Sequence, residues 1–320
     1  MPLTFDLPYE QLLTYQGTNP RPADFDAYWD AALAEMRQVK ADLKLSPAAF
    51  TAPYADCFDM TFTGVGGARV HAQLLRPSQP VGAKPAVLMF HGYSCNAGCW
   101  ADKLAYVAMG YTVAALDCRG QGGPSEDVGG QPGMTLHGHI IRGIEGKPED
   151  LMYRSLFLDT AQLAYLVMGM DHVDPSRLGA TGASQGGGLT LACTALVPEI
   201  KLSAPIYPFL SDYKRVWQMD MDMNAYAEIR DYFRWRDPLH KNEEAFFTRL
   251  GYIDVQHLAP RIRAKVYMAV GFRDQICPPS TQFAAYNKIT APKSLEIYPD
   301  FAHEELKGHN DRLFAFMSGL

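Results

Sequence analysis

The sequence predicts an α/β fold with a mostly parallel central sheet, and three observations lead to it. Short apolar runs alternate with helical patterns from about residue 85 to the end of the chain. The run at 85–90 (PAVLMF) is apolar throughout, as expected of a strand that is covered on both faces. A G-x-S-x-G pattern at 182–186 lies between such a run and a helix of small residues. Repeated β-α-β units imply parallel strands with helices on both faces of the sheet.

The predicted elements follow in order along the chain. Asp24 is a candidate N-cap for a helix whose apolar residues, from Phe25 to Met36, share one stripe. The runs at 57–63 and 69–75 flank a Gly-rich turn and predict an antiparallel hairpin, which is common at the edge of a parallel sheet. The other predicted strands are 85–90, 111–116, 178–183, 201–207, 265–271 and 294–298. The other predicted helices are 101–109, 156–170, 187–196 and 304–317, and a long Gly-rich loop is predicted at 120–146.

The chain between the strands at 201–207 and 265–271 is too long for an ordinary loop. It is rich in aromatic residues, and we interpret residues 209–260 as a helical insertion. Three interpretations stay open: a lid over the site, an oligomer contact, or a layer packed on its own domain. No internal repeat or linker is evident, so residues 1–320 are predicted to form one domain, with residues 1–56 as an N-terminal extension.

Composition restricts the class of protein. Of the 320 residues, 48% are hydrophobic and 20% are charged, which supports a packed core and excludes disorder of the whole chain. The net charge of −6 gives no electrostatic signature for nucleic acid or for an anionic membrane. The long uncharged stretch at 178–198 is too rich in glycine and polar residues for a membrane span. We therefore predict neither a nucleic-acid partner nor a membrane segment.

Cysteine usage and the N-terminus bear on location. The six cysteines are scattered and lie mostly in apolar runs, which is typical of reduced, buried thiols rather than of a disulfide framework. Residues 1–16 lack the positive and apolar regions of a signal peptide. Together these features predict a cytoplasmic protein.

Ser184, at the centre of the G-x-S-x-G pattern, is the candidate nucleophile. A sharp strand-to-helix turn would expose its Oγ at the carboxyl end of the sheet, and glycines on both sides leave room for that turn. The alternative is a Gly-rich turn that binds phosphate at a helix N-terminus. That alternative is disfavoured because no lysine follows as in a Walker motif and the G-x-G-x-x-G spacing is absent.

A serine hydroxyl needs a base, and the base needs an orienting carboxylate, in the chain order Ser, acid, His. His303 follows the last predicted strand and is the candidate base. Asp274 follows the preceding strand, at 265–271, and is the candidate acid. Asp212 follows the strand before that and is its rival, because some hydrolases use the earlier position. His309 is predicted to lie on the surface of the terminal helix.

An oxyanion intermediate needs two donors, and loss of one costs on the order of 10²–10³ in rate. The candidates are the backbone N–H groups of Gln185, directly after the nucleophile, and of Tyr93, in the loop after the strand at 85–90. The Tyr93 ring is also expected to form a wall of the acyl pocket. His91 is interpreted as structural. His137 and His139 have a spacing that could hold a metal, but no third ligand is apparent, so no metal and no cofactor are predicted.

The chain resembles the cephalosporin C deacetylase / acetyl xylan esterase family of α/β-hydrolases over nearly its whole length. The resemblance rests on these segments: His91-Gly92-Tyr93, Asp117-Cys118-Arg119-Gly120-Gln121-Gly122-Gly123, Gly138-His139-Ile140-Ile141-Arg142-Gly143, Ser184-Gln185-Gly186-Gly187-Gly188, Tyr207-Pro208-Phe209-Leu210-Ser211-Asp212-Tyr213, Gly251-Tyr252-Ile253-Asp254 and His303-Glu304. It implies an α/β-hydrolase fold and a serine esterase that removes acetyl groups through an acetyl-enzyme. The substrates implied are acetylated xylo-oligosaccharides, cephalosporin C and other small acetyl esters.

The resemblance also assigns residues. It implies a triad of Ser184, Asp274 and His303, with Tyr93 and Gln185 forming the oxyanion hole. It further implies that Arg119 and Gln121 brace the loops of the site, and that the protein assembles as a hexamer. The sequence departs from the family at Cys95, where glycine is common, and this puts the acyl and alcohol preferences in doubt. An oligopeptidase-like serine hydrolase and a non-catalytic binding protein on the same fold are the alternatives.

Overall fold

A nine-stranded mixed sheet runs through the computed structural model, which describes residues 5–127 and 134–320. The strands are β1 (Lys44–Pro47), β2 (Ala55–Thr63), β3 (Arg69–Pro77), β4 (Lys84–Phe90), β5 (Thr112–Asp117), β6 (Val173–Ala183), β7 (Leu202–Ile206), β8 (Lys265–Gly271) and β9 (Lys293–Tyr298). Their spatial order is β1-β2-β3-β5-β4-β6-β7-β8-β9. Strands β1, β2 and β3 are antiparallel to their neighbours, and the pairs from β5 to β9 are parallel. The predicted α/β-hydrolase fold, with its mostly parallel sheet and antiparallel hairpin, is confirmed.

Helices cover both faces of this sheet. They are α1 (Tyr9–Leu12), α2 (Phe25–Gln38), α3 (Leu104–Ala108), α4 (Met152–Met168), α5 (Gln185–Leu196), α6 (Tyr213–Gln218), α7 (Ala227–Trp235), α8 (Glu243–Leu250), α9 (Val255–Leu258), α10 (Pro279–Lys288) and α11 (His309–Met317). Within the described ranges, no helix combines the length and the apolar character needed to cross a bilayer.

The position of β4 in the centre of the sheet explains why its sequence is apolar throughout. Successive side chains of a strand point to opposite faces. Val87 is buried in the cluster that contains Met317 of α11, whereas Leu88 is buried in the cluster that contains Leu156 of α4. Both faces of β4 are therefore inside the core, and a polar residue at either position would lie in an apolar layer.

The inserted segment, residues 209–260, contains helices α6 to α9. Part of its aromatic content forms a packed group, in which the rings of Phe233 and Phe246 lie 5.0 Å apart and those of Tyr232 and Phe246 lie 4.3 Å apart. Trp235 and Leu239 are exposed. The assignment of the chain to one domain stays a prediction.

Several boundaries differ from the predicted ones. Strand β1 was not predicted, because its four residues are all exposed and carry no apolar alternation. The last helix begins at His309 rather than at 304, because Gly308 adopts the left-handed conformation (φ +75°) that separates the helix from the preceding loop. The prediction that His309 lies on the surface is wrong: this first residue of α11 is buried against Tyr267.

Two further comparisons concern the loops. All six cysteines are free thiols, but Cys95 and Cys99 are exposed, because they lie in the loop after β4 rather than in a strand, so the prediction of buried thiols is wrong for these two. Part of the predicted loop at 120–146, residues 128–133, lies outside the described residues.

Candidate active site

Ser184 lies in a sharp turn between β6 and α5. Its backbone has a positive φ (φ +58°, ψ −118°), a region that non-glycine residues rarely adopt, and this is the strained conformation that the motif predicts. A β-carbon at Gly182 or at Gly186 would collide with the carbonyl oxygen of Phe90. The two glycines are therefore required for the turn to approach the end of β4.

Three side chains from separate loops meet at the carboxyl edge of the sheet. His303 Nε2 lies 3.0 Å from Ser184 Oγ, and His303 Nδ1 lies 2.8 Å from Asp274 Oδ2. Asp274 is fully buried, and its other oxygen accepts hydrogen bonds from the backbone N–H groups of Ile276 and Cys277. These contacts fix the carboxylate, the carboxylate orients the imidazole, and the imidazole is placed to accept the proton of the serine hydroxyl.

The rival acid, Asp212, has different partners. Its Oδ2 accepts from the hydroxyl of Tyr15 at 2.7 Å, and its Oδ1 accepts from the backbone N–H groups of Thr18 and Asn19, each at 2.8 Å. Asp212 therefore holds the N-terminal extension against the inserted segment, whereas Asp274 is the carboxylate that contacts His303.

The loop after β4, residues 91–95, carries the predicted oxyanion donor and is called the β4 loop below. His91 accepts from the backbone N–H of Cys118 through Nε2, so its Nδ1 carries the proton that is donated to the Gly92 carbonyl oxygen. Burial lowers the pKa of His91, which keeps the ring neutral. Both ring nitrogens are thus occupied in shaping the loop.

Gln121 joins this loop to the residue after the nucleophile. Its side-chain amide and that of Gln185 exchange two hydrogen bonds, of 2.9 and 3.0 Å. The Gln121 oxygen also accepts from the backbone N–H of Ser94, and the Gln185 oxygen accepts from the buried hydroxyl of Tyr153. Arg119 lies deeper, in a buried bidentate ion pair with Asp159.

A cavity of about 440 Å³ opens over Ser184 and His303. It is lined by residues of the β4 loop and of five other segments: Gly92, Tyr93, Ser94, Cys95, Leu136, His137, Ser184, Asn224, Ala225, Ile276 and His303. A larger cavity, of about 570 Å³, lies between α3 and α11, but Ser184, Asp274 and His303 are absent from its lining. The chemistry of the three side chains therefore places the candidate site in the smaller cavity.

Some lining residues could not be found from the sequence. Asn224 and Ala225 belong to the inserted segment, and the aromatic content of that segment was the one signal that it approaches the site. Leu136 and Ile276 carry no motif of their own.

The potential metal ligands are placed as follows. His139 Nε2 contacts the Thr135 carbonyl oxygen, and burial lowers its pKa to about 4. Among the described residues, one group of three potential ligands lies within 4.8 Å, namely Asp274, Cys277 and His303. Both ring nitrogens of His303 are engaged by Ser184 and Asp274, so this group fits proton transfer better than metal ligation.

Comparisons with known proteins cover nearly the whole chain. Residues 1–320 match the sequence model of the family described as acetyl xylan esterase (AXE1). A curated relative, acetyl esterase Axe7A of Xylanibacter ruminicola, is 25% identical over 294 residues. The alignment includes 88% of this chain and 63% of the relative, so the chain spans less than two thirds of that protein's length.

Two solved structures share both sequence and fold. Acetyl xylan esterase 1 from Thermoanaerobacterium sp. JW/SL YS485 is 54% identical, with a TM-score of 0.95 and 98% of each chain covered. The acetyl xylan esterase from Paenibacillus sp. R4 is 34% identical, with a TM-score of 0.91, over 98% of this chain and 99% of that one. The backbone of the present chain is thus similar to both over 98% of its length.

Proposed function

The chain belongs to the acetyl xylan esterase family, whose members are carboxylic ester hydrolases, and we propose that it removes acetyl groups from small acetylated sugars. Acetylated xylo-oligosaccharides are the proposed substrate class, and the acetyl ester of cephalosporin C is a proposed further substrate. The observation that carries the proposal is the hydrogen-bonded chain from Ser184 Oγ through His303 to Asp274.

In the proposed mechanism, Ser184 attacks the acetyl carbonyl carbon as His303 Nε2 takes the hydroxyl proton. Asp274 holds the imidazole in the required tautomer and stabilises the imidazolium. The tetrahedral oxyanion accepts hydrogen bonds from the backbone N–H groups of Tyr93 and Gln185. His303 then protonates the departing sugar hydroxyl. Water repeats the sequence on the acetyl-enzyme, releasing acetate and restoring the serine.

The cavity supports a short acyl chain. Its apolar walls come from side chains such as Tyr93, Leu136 and Ile276, which suit a methyl group rather than a charged substituent. We expect kcat/KM to fall steeply from acetate to butyrate in a series of p-nitrophenyl esters. A flat series would contradict the proposed acetyl specificity.

The nucleophile is tested with Ser184→Ala, which should keep the fold and lose hydrolysis of p-nitrophenyl acetate. A fluorophosphonate, which labels activated serine nucleophiles covalently, should react with the wild type and not with this variant. Ser176→Ala is the matched control, because Ser176 is exposed near the amino end of β6, at the opposite end of that strand from Ser184, and this variant should retain full activity. A Ser184→Ala protein with near wild-type activity would overturn the proposal. Cleavage of short peptides faster than acetyl esters would favour the oligopeptidase alternative.

Assembly and location stay predictions. A hexamer rests on the family resemblance, and a cytoplasmic location rests on the composition and the N-terminal sequence.

A further inference from the structure

Glu228 is a buried carboxylate beside the candidate site. It lies in the first turn of α7 and is 3% exposed. One oxygen accepts a hydrogen bond of 2.6 Å from the hydroxyl of Tyr93, and the other accepts from the backbone N–H groups of Ile140 (2.8 Å) and Ile141 (3.1 Å). A single side chain therefore connects the inserted segment, the β4 loop and the loop around residue 140.

The carboxylate is held by neutral donors rather than by a cation. Two arginines nearby form ion pairs, Arg230 in α7 and Arg236 at its end, but both pair with carboxylates other than Glu228. Burial raises the pKa of Glu228 to about 7, against the effect of its three hydrogen bonds. A buried charge without a counter-charge is costly for folding, so its presence next to a reactive site points to a role in function.

The contacts of Glu228 reach two walls of the cavity. Tyr93 forms one wall and carries the proposed oxyanion donor, while Asn224 and Ala225, a few residues before Glu228, form another. The Tyr93 ring is also packed against His139, with the ring centroids 4.7 Å apart. The hydrogen bond from the Tyr93 hydroxyl to Glu228 fixes the direction of the Tyr93 side chain. Through the side chain it also restrains the Tyr93 backbone N–H, which is the proposed oxyanion donor.

We propose that Glu228 is a positioning residue, which acts as a carboxylate through Tyr93 to hold the β4 loop in the geometry that the reaction needs. The inference rests on the proposed esterase function, because it concerns the same site. It assigns no contact with the substrate to Glu228.

Several titratable groups surround Tyr93 and Glu228, among them His137, whose ring stacks on that of Tyr93 with the centroids 6.5 Å apart. Burial raises the pKa values of Tyr93, Tyr153 and Tyr213, so these phenols stay neutral, and burial keeps His139 neutral above about pH 4. Protonation turns the Glu228 carboxylate from an acceptor into a group that also donates. As the pH falls through about 7, the hold on Tyr93 should therefore weaken.

The test compares the wild type, Glu228→Gln, Tyr93→Phe and the double variant, with kcat measured per site labelled by fluorophosphonate. Glu228→Gln should lower kcat for p-nitrophenyl acetate by about tenfold with little change in KM, as expected for an interaction that matters in the transition state. Its effect should be smaller in the Tyr93→Phe background, because the two residues act together. The acid limb of the wild-type pH profile should contain one ionisation that the Glu228→Gln profile lacks.

Asp231→Asn is the matched control, since Asp231 is an exposed carboxylate on the same helix, and it should behave as the wild type. Measurements of stability distinguish a purely structural role of Glu228 from a positioning role in the reaction. A carboxyl with a raised folded-state pKa binds more protons folded than unfolded, so the wild type loses stability as the pH rises from about 5 to 7, and Glu228→Gln does not. The Tm of the variant should therefore rise relative to the wild type over this range, while its kcat stays lower.

The outcomes separate this inference from the proposed function. If the wild type hydrolyses p-nitrophenyl acetate but Glu228→Gln matches it in kcat and pH profile, the positioning role is wrong and the esterase function stands. Additive effects of Glu228→Gln and Tyr93→Phe would also overturn the role. A wild type that neither cleaves the ester nor reacts with the fluorophosphonate would overturn both.

Discussion

The side-chain amides of Gln121 and Gln185 face each other and exchange hydrogen bonds of 2.9 and 3.0 Å. Both side chains are fully buried. Because Gln121 also accepts from the backbone N–H of Ser94, the pair joins the residue after the nucleophile to the β4 loop. The two proposed oxyanion donors, which belong to Tyr93 and Gln185, are thus held relative to one another by side chains that do not contact the oxyanion.

The first prediction concerns this amide pair. Gln121→Ala removes the acceptor of the Ser94 N–H and both hydrogen bonds between the two amides, although Gln185 keeps its bond from Tyr153, and the loss should cost about 1–3 kcal/mol of unfolding free energy. It should also lower kcat for acetate esters, because the β4 loop loses its anchor. Gln121→Glu keeps the acceptor for the Ser94 N–H but loses the donor to Gln185 Oε1 and buries a charge, so it should be destabilised as well. Urea unfolding and ester hydrolysis measure the two effects, with Gln79→Ala, an exposed glutamine, as control. Equal stability of Gln121→Ala and wild type would refute the bracing role.

The second prediction separates the two candidate acids. Asp274→Asn should lower kcat by on the order of 10⁴, because the imidazole loses the partner that sets its tautomer. Asp212→Asn should instead lower the Tm, since Asp212 accepts bonds from the N-terminal extension, and leave kcat per labelled site unchanged. Steady-state kinetics with active-site titration provide the measurement. The reverse pattern would show that Asp212 is the acid.

The three triad positions could be predicted because each follows a strand of a parallel sheet. The carboxyl ends of such strands share one edge, so residues directly after β6, β8 and β9 are brought together whatever their separation in sequence. Asp212 also follows a strand, but its carboxylate contacts Tyr15 and Thr18 instead of His303. Those contacts cross nearly two hundred residues and leave no local pattern in the sequence.

Glu228 could not be predicted for the same reason. It lies 135 residues from Tyr93, within a helix whose sequence is typical of an amphipathic surface segment. Turn conformations were equally hard to place: Gly308 delays the last helix by its positive φ, whereas the sequence pattern is helical from 304 onward. Local patterns therefore predicted the strands, the sharp turn at Ser184 and the triad, whereas the long-range polar contacts became visible only in the structure.

The third prediction concerns Gly186, the second residue after the nucleophile. The β-carbon of Gly186→Ala would meet the backbone carbonyl of Phe90, which cannot move without shifting β4, so we expect a loss of about 1–3 kcal/mol or more and the loss of activity. Gly169→Ala is the matched control. Gly169 ends α4 with φ −78°, and an added β-carbon makes ordinary contacts of 3.5 Å, so this change should be neutral or stabilise by about 0.4–1 kcal/mol. Thermal unfolding compares the two variants, and equal Tm values would contradict the close packing of the turn at Ser184 against β4.

The fourth prediction is a pH dependence of stability at His71. This imidazole lies between two carboxylates, with Nδ1 2.6 Å from Asp117 Oδ2 and Nε2 3.0 Å from Asp59 Oδ1. Burial disfavours the charged ring, but the hydrogen bonds to Asp117 and Asp59 outweigh burial and raise the pKa of His71. Because the folded-state pKa lies above the unfolded value of about 6.5, the stabilisation is fully present below pH 6.5 and is lost as the pH rises through the folded-state pKa.

Urea unfolding of the wild type and His71→Gln at pH 5.5, 6.5 and 8.5 tests this dependence. The wild type should exceed the variant most at pH 5.5, and the difference should shrink toward pH 8.5. His172→Gln is the control of opposite sign, because burial lowers the pKa of His172, so the wild type should gain relative to that variant as the pH rises. A His71 difference that is constant with pH would mean that the two carboxylates do not bind a charged ring.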